Sequence, residues 1–265
     1  MQIIIIMAIL FYSSVLDAAT IFIKDKAIWY EGKSMDGDYK RFIELAKELN
    51  RNNNSIFVKL NSEGGDVVEA MKIARLIHSL NASTNVVSIV LDSERTAAAG
   101  KLLFNPVKDV CYSACFILFI SGSSRYILDD SNHPVKLGMH RPYFEEKYFA
   151  SLGLDEAREK YKDMENEVRE FLVEIDFPRN LIDRMFATAS DDMHMITSAD
   201  FKKMNLQYKP YFYEWVKNKC GLMTSINFDK SNLDSLTASV EELKKRGACE
   251  ARELVKHQRL ILKQY

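Results

Sequence analysis

The stretch of sequence that decides the fold is Ile56-Phe57-Val58-Lys59-Leu60-Asn61-Ser62-Glu63-Gly64-Gly65-Asp66. Its first half is a short apolar run, which indicates a buried strand, and its glycine pair predicts a tight turn. Apolar residues then recur at helical spacing, at Val67, Ala70, Met71, Ala74 and Ile77. A strand, a turn and a helix in this order are typical of an open α/β sheet, where sites lie at the carboxyl ends of the strands.

Strands and helices alternate from Thr20 to Leu206, which predicts an α/β fold with a mainly parallel sheet and right-handed crossovers. The chain divides into a leader at 1–19, a main domain at 20–206 and a C-terminal helical extension at 207–265. Small, polar and charged residues at 92–110 interrupt the alternation and indicate an inserted surface loop. The extension is expected to contain two helical pieces separated at Gly247.

Residues 1–19 have the pattern of a secretory signal peptide. An uninterrupted apolar run from Ile3 to Tyr12 is followed by small residues that include Ala18 and Ala19. The run is shorter than the about 20 residues that a membrane-spanning helix needs. A buried N-terminal strand is the alternative, because no Lys or Arg precedes the run. We expect an exported, periplasmic protein with no stable membrane span in its mature chain.

Charge and cysteine content narrow the classes of partner and compartment. A net charge of −1 over 265 residues gives no overall basic field, which argues against nucleic acid and anionic lipid as partners. Four cysteines are an even number, as expected for disulfides in an oxidising compartment. Cys220 and Cys249 are a candidate pair. Cys111 and Cys115 can be joined only if Cys111 lies outside the helix, so their state is left open.

Two further strand ends carry residues suited to acyl transfer. A serine hydroxyl is a weak nucleophile unless a base takes its proton and donors hold the oxyanion that forms. Ser113 lies at the start of an apolar helix, where the backbone amides of Ala114 and Gly65 could converge on an oxyanion. His140 ends a later strand and could act as the base, and Asp192, or its neighbour Asp191, could orient the imidazole.

Each of these residues also has a plain structural interpretation. A serine between alanine and cysteine often packs at a helix start, a histidine before Arg-Pro is often a turn residue, and an Asp-Asp pair is often a solvated helix cap. A zinc set made of Cys111, Cys115, His133 and His140 is disfavoured, because its histidine spacing departs from structural-zinc patterns. The segments come in a fixed order, each where a predicted strand or helix begins or ends. This order favours a catalytic site over the structural interpretations.

Four segments resemble the Clp protease proteolytic subunit and its exported ClpP-like relatives. They are Asn61-Ser62-Glu63-Gly64-Gly65, Ser113-Ala114, Gly138-Met139-His140-Arg141-Pro142 and Ile196-Thr197-Ser198-Ala199. The resemblance covers about residues 56–206 and implies a ClpP/crotonase fold of stacked ββα units. It further implies Ser113 as nucleophile, His140 as base, and Gly65 and Ala114 as oxyanion donors.

The chain departs from the pattern of that family at three positions. Glu63 stands where the family usually has proline, and Ala114 stands where methionine is frequent. An alignment without gaps puts the family's catalytic aspartate at Met193, so the assignment of Asp192 requires a shift of one residue. The third member of the triad is therefore inferred from its neighbourhood in the sequence.

We predict a serine-type peptidase or related hydrolase of the cell envelope, acting on peptide or protein substrates. No metal or organic cofactor is expected, and no ATP-binding Gly-rich motif is present. The crotonase branch, which binds acyl-CoA, is disfavoured because a Ser/His pair suits hydrolysis. A long charged helix at about 154–175 corresponds in position to the ring-joining helix of the Clp subunit, so a homo-oligomer is expected. A catalytically inactive peptide-binding or scaffold protein is the alternative.

Overall fold

A computed structural model describes residues 19–87, 110–128, 135–144, 146–204, 210–221 and 233–265 of the chain. Several predictions made from the sequence lie outside these ranges. They are the signal peptide apart from its last residue, almost all of the 92–110 insertion, His133, and the domain boundary at 206.

Two sheets carry the fold within the described residues. The larger has the order β1-β2-β3-β4-β6, in which β1 is antiparallel and the others are parallel: β1 (Thr20–Lys24), β2 (Ala27–Glu31), β3 (Phe57–Asn61), β4 (Ser83–Val87) and β6 (Arg125–Leu128). The smaller has the order β5-β7-β8: β5 (Val110–Tyr112), β7 (Lys136–Met139) and β8 (His194–Met195). A bridge between Ser62 and Cys111 joins the end of β3 to β5. The predicted α/β class and mainly parallel pairing are confirmed.

The helices of the described residues follow in chain order. They are α1 (Asp38–Arg51), α2 (Val67–Ser79), α3 (Ala114–Ile120), α4 (Glu146–Phe149), α5 (Leu154–Glu174), α6 (Arg179–Ala187), α7 (Ser198–Lys203), α8 (Pro210–Cys220) and α9 (Leu233–Leu262). Within these residues, no helix is both long enough and apolar enough to cross a membrane.

Hydrophobic periodicity predicts the core helices correctly. The residues of α1 that recur at i, i+3, i+4 and i+7 are buried, as are the five apolar positions predicted for α2: Phe42, Leu45, Ala46, Leu49, Val67, Ala70, Met71, Ala74 and Ile77. Every residue of α3 is buried, which fits its uninterrupted apolar sequence. Helix α3 packs against α2, and this contact sets the position of the chain that enters α3 from β5.

The C-terminal extension returns to the main domain through α9. Gln258 has no exposed surface; its side chain accepts a hydrogen bond from the Ile56 amide and donates one to the Leu80 carbonyl. The helix continues through Gly247, so the predicted interruption there is wrong. An isolated glycine costs a helix only about 1 kcal/mol, and the Cys220–Cys249 disulfide ties α9 to α8 close to that point.

Both pairs of cysteines form disulfides, Cys111–Cys115 and Cys220–Cys249. The second pair agrees with the prediction. The first, which the sequence leaves open, forms because Cys111 belongs to β5 and α3 begins only at Ala114. Two disulfides are typical of a chain that matures in an oxidising compartment.

Candidate active site

Ser113 lies at a sharp turn between β5 and α3. Its φ of 54° and ψ of −120° form a conformation that residues with side chains rarely adopt, at a cost of about 1–3 kcal/mol. The amides of Tyr112, Ser113 and Phe116 hold this turn by donating to the carbonyls of Ser62, Gly138 and Ser113, respectively. The Ser113 hydroxyl itself makes no hydrogen bond with the described residues. Strained backbone conformations of this kind cluster at functional sites, which makes Ser113 a candidate for one.

Gly64 brings the end of β3 directly against this turn. It has a φ of 105°, and a Cβ atom at this position would lie 2.8 Å from Ser113 Cβ, 2.9 Å from the Tyr112 carbonyl oxygen and 3.2 Å from the Ala114 nitrogen. Only glycine combines this backbone conformation with so close an approach. The Gly64-Gly65 turn and the Ser113-Ala114 turn are therefore in contact.

The backbone amides of Gly65 and Ala114 are available as hydrogen-bond donors. On either side of Gly65, the Gly64 carbonyl accepts from the Ser34 amide at 2.7 Å and the Asp66 amide donates to the Ser34 carbonyl at 2.9 Å. The Gly64 carbonyl and the Gly65 amide belong to one trans peptide group and point in opposite directions, so the Gly65 amide faces away from Ser34. Neither Gly65 nor Ala114 donates its amide hydrogen to another group of the described chain.

The parallel pairing of β5 with β7 brings His140 to the same edge of the smaller sheet. Tyr112 is paired with Gly138, so Ser113 and Met139 are the next residues on the two strands, and His140 follows at once. The hydroxyl and the imidazole therefore belong to chain segments that leave adjacent parallel strands at the same end. No hydrogen bond joins them here, although such bonds are often long before a substrate binds.

A backbone carbonyl selects the tautomer of the neutral His140 imidazole. The imidazole Nδ1 lies 2.8 Å from the Arg141 carbonyl oxygen, which can only accept a hydrogen bond. Nδ1 must therefore carry the proton, and in the neutral imidazole Nε2 is left as the acceptor. The side chain is 7% exposed, and Nε2 makes no hydrogen bond with the described residues. This is the tautomer that a general base requires.

The loop that presents this carbonyl is held from two sides. The Arg141 amide donates to the Thr188 carbonyl at the end of α6, at 3.1 Å. The Tyr161 hydroxyl of α5 donates to the Pro142 carbonyl at 3.3 Å. Because both neighbouring backbone groups are bound, the Arg141 carbonyl has a defined direction toward the imidazole.

Asp192, the carboxylate predicted to orient the imidazole, makes no hydrogen bond with His140. It is exposed and accepts a hydrogen bond from the adjacent Met193 amide at 2.7 Å. Asp191 is also exposed. The structure therefore brings Ser113, Ala114, Gly65 and His140 to one sheet edge, while the Arg141 carbonyl occupies the position at Nδ1. The role of Asp192 stays a prediction.

A second histidine–carboxylate pair lies on the neighbouring strand. His194 is paired with Met139 across β7 and β8, and its Nε2 lies 3.3 Å from Asp200 Oδ2. Burial raises the pKa of Asp200, but hydrogen bonds from Thr197 and His194 outweigh burial and hold that pKa below its usual value. Asp200 also completes the capping box of α7 with Thr197. We assign this pair to the stability of α7.

An open cavity of about 290 Å³ adjoins the site. Its wall includes Gly65, the polar residues Lys33, Ser34, Asp36 and Asp66, and six apolar or aromatic side chains: Met35, Val67, Val68, Tyr143, Phe144 and Tyr148. Tyr143 contacts the imidazole of His140, with ring centroids 5.7 Å apart, and the rings of Phe144 and Tyr148 are stacked. Such a cavity suits an apolar side chain of a substrate. The aromatic residues that follow His140 are the signal in the sequence that could have predicted it.

Two buried carboxylates support the loop that forms another wall of this cavity. Asp38 accepts hydrogen bonds from the Tyr30 hydroxyl at 2.7 Å and the Met35 amide at 2.9 Å. Glu69 of α2 accepts from the amides of Gly37 and Tyr39. Burial raises the pKa of Asp38 above its usual value, partly offset by the Tyr30 hydrogen bond. These bonds fix the 33–38 loop beside Gly65.

The alternative zinc set is not supported by the described residues. Cys111 and Cys115 are joined to each other, so neither offers the thiolate that zinc binds. His140 is held by the Arg141 carbonyl at one of its two nitrogens, and His133 lies outside the described residues.

Comparisons with known proteins give similarity only at the level of solved structures. No protein-family model matches the chain, and no curated protein matches it. Among solved structures, it is similar to a point mutant of ClpP1 from Listeria monocytogenes, with 14% sequence identity and a TM-score of 0.47. The similarity covers 69% of this chain and 88% of that chain.

Proposed function

We propose that the chain is a serine-type hydrolase, and specifically a peptidase of the cell envelope. The observation that carries this proposal is the parallel register of β5 and β7, which pairs Tyr112 with Gly138. The register puts Ser113 and His140 at one end of adjacent strands, next to two free backbone amides. The hydrogen bond from Nδ1 to the Arg141 carbonyl supports the basic form of Nε2.

Acylation follows from these groups. His140 Nε2 takes the proton of the Ser113 hydroxyl as Oγ attacks the carbonyl carbon of the substrate. The carbonyl oxygen becomes an oxyanion and accepts hydrogen bonds from the Gly65 and Ala114 amides. His140 then gives its proton to the leaving amine, which departs as the C–N bond breaks.

Deacylation repeats these steps with a water molecule as the nucleophile. His140 removes a proton from a water molecule, whose oxygen attacks the acyl carbon, and the oxyanion that forms is held at the same two amides. The ester bond to Ser113 breaks, the hydroxyl regains its proton from His140, and the carboxylic acid leaves. All groups in these steps belong to the chain, so the proposed reaction needs no cofactor.

The substrate is proposed to be a peptide with a bulky apolar side chain near the scissile bond. The cavity beside Gly65 supports this choice, because Tyr143, Phe144 and Tyr148 form one of its walls. A periplasmic location is supported by the two disulfides and by the signal peptide predicted from the sequence. The homo-oligomer stays a prediction.

A serine-directed fluorophosphonate is expected to modify the full-length protein at Ser113. The probe phosphonylates a serine only where a base and oxyanion donors activate it. The measurement is intact mass followed by peptide mapping, with Ser113→Ala as the control. Modification of wild type that persists in Ser113→Ala, or a folded wild type that is not modified, would overturn the proposal.

A peptide-binding scaffold without catalytic activity is the second candidate. Two observations favour it: Ser113 makes no hydrogen bond with His140, and no carboxylate of the described residues binds the imidazole. A scaffold would leave the probe unreacted while still binding peptides in the cavity beside Gly65. The labelling experiment therefore separates the two functions.

We expect Asp192→Asn to slow the modification of Ser113 by less than about tenfold. A carboxylate that fixes the histidine tautomer in a serine protease contributes about 10⁴-fold, but here the Arg141 carbonyl already binds Nδ1. The matched variant is Asp191→Asn, which removes the same charge one residue away. A loss of about 10³-fold or more in Asp192→Asn alone would make Asp192 the third member of a triad.

A further inference from the structure

The Cys111–Cys115 disulfide encloses the candidate nucleophile. Cys111 lies in β5 and Cys115 is the second residue of α3, so the covalent ring contains Tyr112, Ser113 and Ala114. The ring therefore holds both the proposed nucleophile and one of the two proposed oxyanion donors. The two cysteines are 0% and 1% exposed.

We propose that this disulfide is a positioning element for catalysis, and that its contribution to the stability of the fold is secondary. It would hold Ser113 Oγ and the Ala114 amide in the arrangement that attack on a carbonyl requires. The proposal rests on the hydrolase function proposed above. It assigns a role to two residues that take no part in the chemical steps.

The hydrogen bonds of the turn explain why a covalent link is useful there. The amides of Tyr112, Ser113 and Phe116 are already engaged with backbone carbonyls. The Ala114 amide between them must stay free for the oxyanion, so no backbone hydrogen bond can fix that residue. A disulfide restrains the turn without consuming any of its polar groups.

The conformation of Ser113 needs such a restraint. Its φ of 54° lies in a region that L-residues seldom occupy. Gly64 lies close to Ser113 and Ala114, since a Cβ added to it would be 2.8 Å from Ser113 Cβ and 3.2 Å from the Ala114 nitrogen. The side chains of Cys111 and Cys115 are buried in the main hydrophobic core together with Phe116 and Ala114. The link thus fixes the start of α3 relative to the end of β5.

The second disulfide of the chain provides a matched control. Cys220–Cys249 joins α8 to α9 and spans 29 residues, against 4 for Cys111–Cys115. A disulfide that closes a longer loop restrains the unfolded chain more. Of the two removals, that of Cys220–Cys249 should therefore cause the larger fall in melting temperature. Removal of Cys111–Cys115 should cause the larger fall in the rate of Ser113 modification.

The test compares Cys111→Ala/Cys115→Ala with Cys220→Ala/Cys249→Ala in the full chain. For the first pair, we expect the maximal rate of Ser113 modification by the fluorophosphonate to fall by about 10–100-fold, because small displacements of reacting groups have effects of this size. The probe concentration at half-maximal rate should stay unchanged. For the second pair, we expect the rate to change by less than about twofold, since the site is untouched.

The outcomes separate the two proposals. If wild type is modified at Ser113 and the first double variant reacts as fast, the positioning role is wrong and the hydrolase function stands. If wild type is not modified, both fall together. Should Cys111→Ala/Cys115→Ala not fold, Cys111→Val/Cys115→Ala keeps apolar volume in the strand and the helix. Failure of that variant to fold as well would mean that the disulfide serves the fold, which overturns the proposal.

Discussion

His140→Ala is expected to slow the modification of Ser113 by a fluorophosphonate by about 10²–10⁴-fold, the usual contribution of a general base. Without the imidazole, the Ser113 hydroxyl keeps its proton and is a poor nucleophile near neutral pH. The residual rate comes from the Gly65 and Ala114 amides, which still stabilise the oxyanion. The measurement is the second-order rate constant of labelling, with circular dichroism to show that the variant is folded.

The control for this prediction is His194→Ala. His194 is the other histidine at this end of the smaller sheet, but it binds Asp200, the residue that completes the capping box of α7. We expect this variant to label within about twofold of wild type, because the His194 imidazole is bound to Asp200 and makes no hydrogen bond with His140. Equal losses in both variants would indicate a general disturbance of the sheet edge and would contradict the assignment of His140 as base.

Local sequence patterns are sufficient for most of the elements that build the site. The helical spacing after Asp66 predicts α2, and the apolar run after Ser113 predicts α3. The β1–β2 hairpin turns at Asp25 and Lys26, and both have positive φ, as a two-residue hairpin turn requires. These features depend on neighbouring residues alone, which is why one sequence reveals them.

Features that depend on backbone position could not be predicted in the same way. The Nδ1 partner of His140 is a carbonyl group, which every residue has, so no residue type signals it. The Cys111–Cys115 disulfide depends on where α3 begins, and helix ends are uncertain by one or two residues. The division of the strands into two sheets follows from long-range pairing, such as that of Ser62 with Cys111.

Gly64→Ala is expected to lower both the stability of the protein and the rate of Ser113 modification. The new Cβ would lie 2.8 Å from Ser113 Cβ and 2.9 Å from the Tyr112 carbonyl oxygen, so the turn at Ser113 must move. Such overpacking costs about 1–3 kcal/mol, and the φ of 105° adds about 1–2 kcal/mol. Displacement of Ser113 and of the Ala114 amide should lower the rate by about 10²-fold or more.

Gly37→Ala separates the two causes, because Gly37 has a φ of 95° but no atom within 4 Å of the position of its missing Cβ. The free energy of unfolding of this variant should fall by only about 1–2 kcal/mol, the cost of the left-handed conformation. The variant should label like wild type. Chemical unfolding gives the free energies, and the labelling kinetics give the rates. If Gly64→Ala loses no more stability and no more rate than Gly37→Ala, the two turns are not in contact in solution. The proposal that Gly65 and Ala114 share one oxyanion would then be wrong, because it rests on the approach of β3 to Ser113.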